Sequence, residues 1–543
     1  MAKRERMTSV DSAWLHMEDP TNLMMITGVL LFESPLPIGL VKDVIETRLL
    51  AKFPRFKQRV VTRGRLRKIT YWEDDDHFAL DAHLHHIALP SPGDDRALQE
   101  LVSDLMSVPL DPNKPLWQFH LVDGYGRGSA IVSRLHHAIA DGIALTQVLL
   151  SLTDEQPDTP FAQPELEESE SWNPLGAMTR QARSAFKVTQ KAAELLIQEG
   201  RDFWQNPSAT AIDLAKLGVG GAAALSKALL LPADNQTVFK GPLGVRKLAL
   251  WSRSIPLAQV KAVGQATGGT VNDVLLTAMT GALRRYLSDR HSLVDTIRAF
   301  VPVNIRPPDE PISLGNKFSL VFLSLPVGKA DVIDRLTTLK ANMDAIKQSS
   351  EAAVNYGILN AIGMSTLQVQ QMAINMFGAK ATAVMTNVPG PRQTIYMAGQ
   401  AMSGMMFWVP QSGRVGLGVS ILSYGGEVML GVAVDAGLIP DPEQIVAYFH
   451  QEFDAMLQLV EQAEAAAPPP AAEAPIAVEA APVVEAESPA VKTPRCQALT
   501  MAGRPCRNRP IQGSGFCRRH HPHPETLGDS LVDDLLLEPN SAE

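Results

Sequence analysis

Apolar positions change their period along the chain, and those changes mark out its elements. Trp117 to Asp123 (WQFHLVD) and Ser129 to Leu135 (SAIVSRL) are β-like runs on either side of the turn-forming Gly124-Tyr125-Gly126-Arg127-Gly128, which predicts an antiparallel hairpin. Helical spacing follows from Ile143 to Leu152. In TVNDVLLTAMTGALRRYL apolar residues recur every three or four positions, so a helix is expected to open at Thr270. Strands are expected within Asn316 to Val327 and in the pair Gly416–Ser423 and Glu427–Val434 around Gly425-Gly426. A last helix should start after Pro440-Asp441-Pro442, with proline in its first turn. Residues 173–232 read as helical, and the acidic, proline-bearing stretch from Asp154 to Ser171 reads as an exposed loop.

This patterning predicts an α+β fold of two mixed halves, residues 1–155 and 245–462, joined by an acidic loop and helical crossover over 156–244. A chain of 543 residues exceeds the roughly 250–300 that a single core usually reaches. Residues 463–493 are almost entirely Ala, Pro, Glu and Val, a composition that cannot offset ordering entropy and predicts a disordered linker. A short Cys/Arg/His module at 494–523 and an acidic tail at 524–543 complete the chain.

Composition narrows the classes. Hydrophobic residues make up 45% and charged residues 20%, ordinary for a globular protein, and the formal net charge of -9 argues against a nucleic-acid binder. All three cysteines, Cys496, Cys506 and Cys517, lie in the tail. The body cannot form a disulfide, which suits a reducing compartment. The basic N-terminus has no apolar region behind it and does not read as a secretory signal. No run reaches the roughly 18–20 apolar residues that cross a bilayer; Ala211 to Pro232 is interrupted by Asp213, Lys216 and Lys227. The expected location is cytoplasmic, meeting lipid from the surface.

At the end of the second hairpin strand stands Leu135-His136-His137-Ala138-Ile139-Ala140-Asp141-Gly142. Ester formation from a thioester needs a base of near-neutral pKa to take the alcohol's proton, and the resulting imidazolium can protonate the departing thiolate. One histidine at a strand mouth can serve both steps. Asp141 would fix the loop by pairing with a cation, and Gly142 would permit the tight path into the helix. Two other readings stay open on these residues alone: His137 and Asp141 as metal ligands, and the histidines as purely structural. No G-x-S-x-G elbow occurs, which disfavours serine-hydrolase chemistry through that route.

The motif resembles the H-H-x-x-x-D-G signature of coenzyme A-dependent acyltransferases and peptide-synthetase condensation domains. Four further segments, with the opening Ser9-Val10-Asp11-Ser12-Ala13-Trp14-Leu15, are similar to the bacterial wax ester synthase/diacylglycerol acyltransferase family. They are Pro115-Leu116-Trp117, Val271-Asn272-Asp273-Val274, Leu314-Gly315-Asn316-Lys317-Phe318-Ser319 and Thr386-Asn387-Val388-Pro389-Gly390-Pro391. The resemblance spans roughly residues 7 to 460 and implies two chloramphenicol-acetyltransferase-like halves. It implies transfer of a fatty acyl group from acyl-coenzyme A to diacylglycerol or a long-chain alcohol, with His137 as general base, His136 in support and no catalytic cofactor. Asn272 would lie near the reaction centre, although N-terminal helix capping explains it equally. Asp141 and Gly142 would be architectural, Pro115-Leu116-Trp117 would serve packing, and Gly315-Asn316 would form a turn. A peripheral membrane or lipid-inclusion location is implied.

Other residues compete for attention. His83 and His85 could share a strand face and bind metal, but His83, His85 and His86 read better as a plain exposed strand. Met402, Met405, Met406, Phe407 and Trp408 could line an acyl tunnel or simply pack the core. In the tail, Cys496, Cys506, Cys517 and His520 would form a tetrahedral zinc set, with His521 as an alternative fourth ligand. Arg495, Arg504, Arg507, Arg509, Arg518 and Arg519 around them would suit an anionic partner. Two competing functions remain: a condensation-like transferase using carrier-bound donors, and a non-enzymatic scaffold on a lipid surface.

Overall fold

The structure is a computed structural model that describes residues 4–64, 69–157, 230–306, 314–411 and 413–466. The chain opens with β1 (Arg4–Arg6), α1 (Ser9–His16), β2 (Met25–Phe32) and α2 (Ile38–Val44). β3 (Gln58–Arg63), β4 (Ile69–Asp74), β5 (Leu84–Ala88) and α3 (Asp95–Met106) follow. The hairpin of β6 (Trp117–Tyr125) and β7 (Gly128–His136) leads into α4 (Gly142–Leu150). Gly124 and Gly126 hold φ of 76° and 57° at its turn, a conformation glycine adopts without steric cost.

Beyond the crossover come β8 (Lys247–Trp251), β9 (Ile255–Pro256), α5 (Leu257–Thr267) and α6 (Val271–Asp289). Thr270 caps α6 through a reciprocal pair with Asp273. β10 (Ile297–Asn304), β11 (Phe318–Leu325), α7 (Val332–Gln348), α8 (Glu351–Met364) and α9 (Leu367–Gly378) form the next block. The chain then runs through β12 (Ala383–Pro389), β13 (Tyr396–Met397), β14 (Gln400–Trp408), β15 (Leu417–Tyr424), β16 (Glu427–Asp435) and α10 (Pro442–Ala466).

Two mixed sheets organise most of these elements, and β1, β4 and β3 form a small third sheet. One has the order β13-β14-β2-β7-β6-β5, and the other has β11-β10-β12-β15-β16-β8 with β9 on β16. The halves drawn along the sequence therefore exchange chain. β14 lies in the 245–462 stretch, yet it pairs with β2 in the first sheet, Phe407 opposite Gly28 and Trp408 opposite Thr27. Its Met402, Met405, Met406, Phe407 and Trp408 are all buried in the first core, with β2 and β7. A second core packs α6 and α10 against the other sheet through Leu283, Tyr286, Phe449 and Phe453.

Several expectations need correction. Asp154, the start of the expected exposed loop, is held in place: its carboxylate lies 2.9 Å from Arg48 and its backbone pairs with Tyr396. Most of the expected loop and crossover, residues 158–229, falls outside the described residues, and the described end of the crossover, residues 231–244, is irregular. His83 is not an exposed strand residue. It precedes β5, is buried, and stacks between Phe78 and Trp117 while its Nδ1 lies 2.8 Å from the Trp117 carbonyl. His85 does lie on β5, against His120, and His86 is exposed beside Asp123. No group of three metal-ligating side chains occurs among the described residues. Cys496, Cys506, Cys517, His520 and the tail arginines lie outside the described residues.

Candidate active site

β7 is buried along its whole length and ends at His136, so the chain leaves the sheet with two adjacent imidazoles at its mouth. The exit is fixed by backbone bonds. His136 N–H donates to the Leu116 carbonyl at 3.0 Å, and His137 N–H donates to the Met24 carbonyl at 2.7 Å. Leu116, the centre of the Pro-Leu-Trp segment, thus clamps the strand end, while Trp117 is buried and donates from Nε1 to the Phe56 carbonyl.

The two histidines differ in what their ring nitrogens can do. His136 Nδ1 accepts from the Ala138 N–H at 3.0 Å. An accepting Nδ1 carries no proton, so the neutral ring is protonated at Nε2. That Nε2 faces the Glu18 carboxylate at 2.8 Å, though off the ideal hydrogen-bond line. Burial pushes the Glu18 carboxyl up, but His136 more than reverses this and holds it below its ordinary value. Both nitrogens of His136 are engaged, which leaves it no lone pair for a substrate.

His137 is 4% exposed. Its imidazole lies against the Trp14 indole, centroids 4.3 Å apart at 24°, with Phe318 at 5.2 Å. Of its two nitrogens only Nδ1 is sealed without a good hydrogen bond, and Nε2 bonds to no described residue. The acceptors facing the ring are its own carbonyl and the Asn316 side chain, and Asn316 has a buried, unused Oδ1. We assign the proton to Nδ1, leaving the Nε2 lone pair open. Burial lowers the pKa to about 4, against the opposing pull of Asp141. The ring is therefore neutral at physiological pH and able to accept a proton, but its pKa lies below the near-neutral value expected of the base, because burial disfavours the charged form.

Segments distant in sequence build the surrounding frame. Asn316 Nδ2 donates both to Asp11 at 2.8 Å and to the His137 carbonyl at 2.9 Å. Asp141 caps α4 by accepting from the Ala144 N–H at 3.0 Å, accepts from the Lys317 N–H at 2.9 Å, and pairs with Arg306 at 2.6 Å. Arg306 also donates to the Gly315 carbonyl at 2.9 Å. Gly315 has φ of 115°, a backbone that favours glycine.

Gly142 does not fit the expected reason for its presence. It is the first residue of α4, its φ is not positive, and a Cβ there would meet nothing within 4 Å. The glycine leaves open space beside the motif; it does not release a strained path. Asn272 is not the cap of α6, since Thr270 fills that role. Its Oδ1 instead accepts from Asn387 Nδ2 at 3.0 Å, so the Asn-Asp and Thr-Asn-Val-Pro-Gly-Pro segments meet.

Five roles escaped the sequence reading: those of Glu18, Arg306, Asp11, the Asn316 side chain, and Trp14 as the neighbour of the imidazole. Trp14 had a usable signal, being part of the opening segment that carries the family resemblance. It also walls a partly open apolar pocket lined by Phe300, Leu320 and Phe322 and by Ile358, Ile362, Ile374 and Phe377 of α8 and α9. One indole therefore separates this pocket from His137.

Comparison with known proteins places this geometry. Residues 7–275 match the wax ester synthase/diacylglycerol acyltransferase catalytic domain, and residues 314–457 match the WS/DGAT C-terminal domain. The chain is 28% identical to a probable diacylglycerol O-acyltransferase, tgs2, of Mycobacterium tuberculosis strain H37Rv, covering 83% of this chain and 98% of the relative. It is 27% identical to a second, tgs1, of the same strain, over 81% and 93%. Among solved structures it resembles the wax ester synthase/diacylglycerol acyltransferase from Marinobacter aquaeolei VT8, with a TM-score of 0.57 and 22% identity over 84% of this chain and 99% of that one. The first condensation domain of the CDA synthetase shares the fold, with a TM-score of 0.53 and 14% identity over 84% and 96%. With both of its domain models matched in order, the chain is an acyltransferase of the wax ester synthase/diacylglycerol acyltransferase family.

Proposed function

We propose that the protein moves a fatty acyl group from acyl-coenzyme A to diacylglycerol or a long-chain alcohol, with His137 as its general base. The observation that carries this reading is the neutral imidazole of His137 with one nitrogen open, beside a neighbour whose nitrogens are both engaged. Nε2 takes the hydroxyl proton as the alcohol oxygen attacks the thioester carbonyl. The tetrahedral species collapses, the C–S bond breaks, and the imidazolium returns the proton to the thiolate sulfur. No covalent acyl-enzyme forms.

His136, Asp141 and Gly142 act in support. His136 fixes the turn through Ala138, Asp141 ties the loop to Arg306, and Gly142 leaves room beside the base. Asn272 sits at the first turn of α6, and its link to Asn387 orients its amide toward substrate or oxyanion. No helix among the described residues is long and apolar enough to cross a membrane. The reading places the enzyme at a lipid surface, reached from the cytoplasm. In the tail, Cys496, Cys506, Cys517 and His520 would hold a structural zinc and the neighbouring arginines an anionic partner. Zinc content that falls on truncation at Ala463 would support that assignment, and unchanged content would refute it.

One assay tests the main reading. Radiolabelled palmitoyl-coenzyme A is offered with hexadecanol or diacylglycerol to the full chain, His137→Ala and the truncation at Ala463. Labelled ester from the full chain and the truncation, but not from His137→Ala, is the expected pattern. Synthesis that depends on the tail instead would favour recruitment over catalysis by this site.

A further inference from the structure

The outer face of one helix pair is unlike the rest of the surface formed by the described residues. α8 and α9 are joined by Ser365 and Thr366. From Ala352 to Ala379, 28 consecutive residues include no Asp, Glu, Lys, Arg or His, in a chain whose charged fraction is 20%. A solvated helix normally carries charge on its outward face. Here the outward side chains are Met364, Leu367 and Met372, which are 37%, 60% and 54% exposed, with the uncharged Gln368 and Gln371 beside them.

The inner face of the same pair lines the apolar pocket that ends at Trp14, the indole stacked on His137. α8 is held to α1 at close range, because a Cβ on Gly363 would collide with the Ser9 carbonyl. A thin, uncharged wall thus stands between the outside and an apolar space one indole away from the proposed base.

We propose that this hairpin is the docking face for a phospholipid surface, and that the pocket beneath it receives an aliphatic chain of the acceptor. Met364, Leu367 and Met372 enter the acyl layer while the helices lie in its plane. The occupant follows from complementarity. The face offers no ion pairs, which matches hydrocarbon, and it lacks the exposed aromatic and arginine anchors typical of protein interfaces. The pocket's occupant rests on the acyl-transfer reading above; the docking itself does not.

The test uses vesicles of dioleoylphosphatidylcholine carrying dioleoylglycerol, with the full chain and the double variant Leu367→Glu/Met372→Glu. Neither residue lines the pocket or touches the histidines. The variant should cosediment with vesicles about tenfold less or worse and lose acylation of vesicle-borne diacylglycerol to a similar degree. It should keep its melting temperature and its acylation of soluble butanol. Wild-type binding should change little with added salt. As a check that does not depend on loss of function, the indole introduced by Leu367→Trp should give a blue-shifted emission on vesicle addition. Undiminished binding by the double variant, or an unshifted emission from the Leu367→Trp protein, overturns the docking face. Failure of every form to acylate butanol, hexadecanol and diacylglycerol alike would instead remove the acyl-transfer reading, and the binding data would still decide the docking face.

Discussion

The imidazole of His137 stacks on the indole of Trp14, with ring centroids 4.3 Å apart. That contact shuts water away from the ring, and burial is the largest cause of its depressed pKa of about 4. Trp14→Leu should open the site and move the pKa of His137 back toward 6.5. The acid limb of the kcat/KM profile should shift upward with it. Histidine resonances titrated by NMR in both proteins would check this, and an unmoved His137 would show that Trp14 does not set its environment.

The same shift links pH to stability. His137 and His120 both have folded-state pKa values lowered from 6.5 to about 4 by burial. As pH falls, the unfolded chain takes up these protons first. Stability is therefore complete above pH 6.5, falls between 6.5 and 4 by up to about 3 kcal/mol per group, and levels off below that window as far as these groups are concerned. Urea midpoints measured across the window should fall, and the slope should be shallower in His120→Asn. An identical slope would contradict the assignment.

Asp141 and Arg306 are 2% and 4% exposed in their side chains and lie 2.6 Å apart. Removing one leaves the other buried without its partner, which typically costs about 3–5 kcal/mol. Asp141→Ala and Arg306→Ala should each destabilise the protein by that order, and the double variant by clearly less than their sum. Additive losses in denaturant melts would mean the pair is not coupled.

Gly142 separates a backbone role from a spatial one. Gly142→Leu meets no neighbour at its Cβ in the free protein, so the melting temperature should hold. If the open space belongs to substrate, turnover should fall by about tenfold or more through misplacement of the reacting atoms. Full activity in a stable Gly142→Leu protein would assign that space to solvent.

How much can be read in advance depends on the range of the interaction. The hairpin of β6 and β7 and the cap at Thr270 are local, and turn residues and helical spacing announce them. The two-histidine turn is legible for the same reason. The partners of that turn are not local. Arg306 reaches Asp141, Asn316 reaches the His137 carbonyl, and Glu18 faces His136 only once β2, β7 and the segment before β11 have assembled. The insertion of β14 beside β2 is likewise invisible to a reading that moves along the chain. His83 misleads because an alternating DAHLHH run looks like a half-exposed strand, whereas its ring fills a slot between Phe78 and Trp117.

In the proposed mechanism one open nitrogen, on His137, accepts the alcohol's proton. The most direct test of that step is single-turnover ester formation from palmitoyl-coenzyme A and diacylglycerol by wild type and by folded His137→Ala. The rate should fall by about 10²–10⁴ in the variant, with its melting curve showing a folded protein. Ester formation at the wild-type rate by that variant would mean that His137 is not the base.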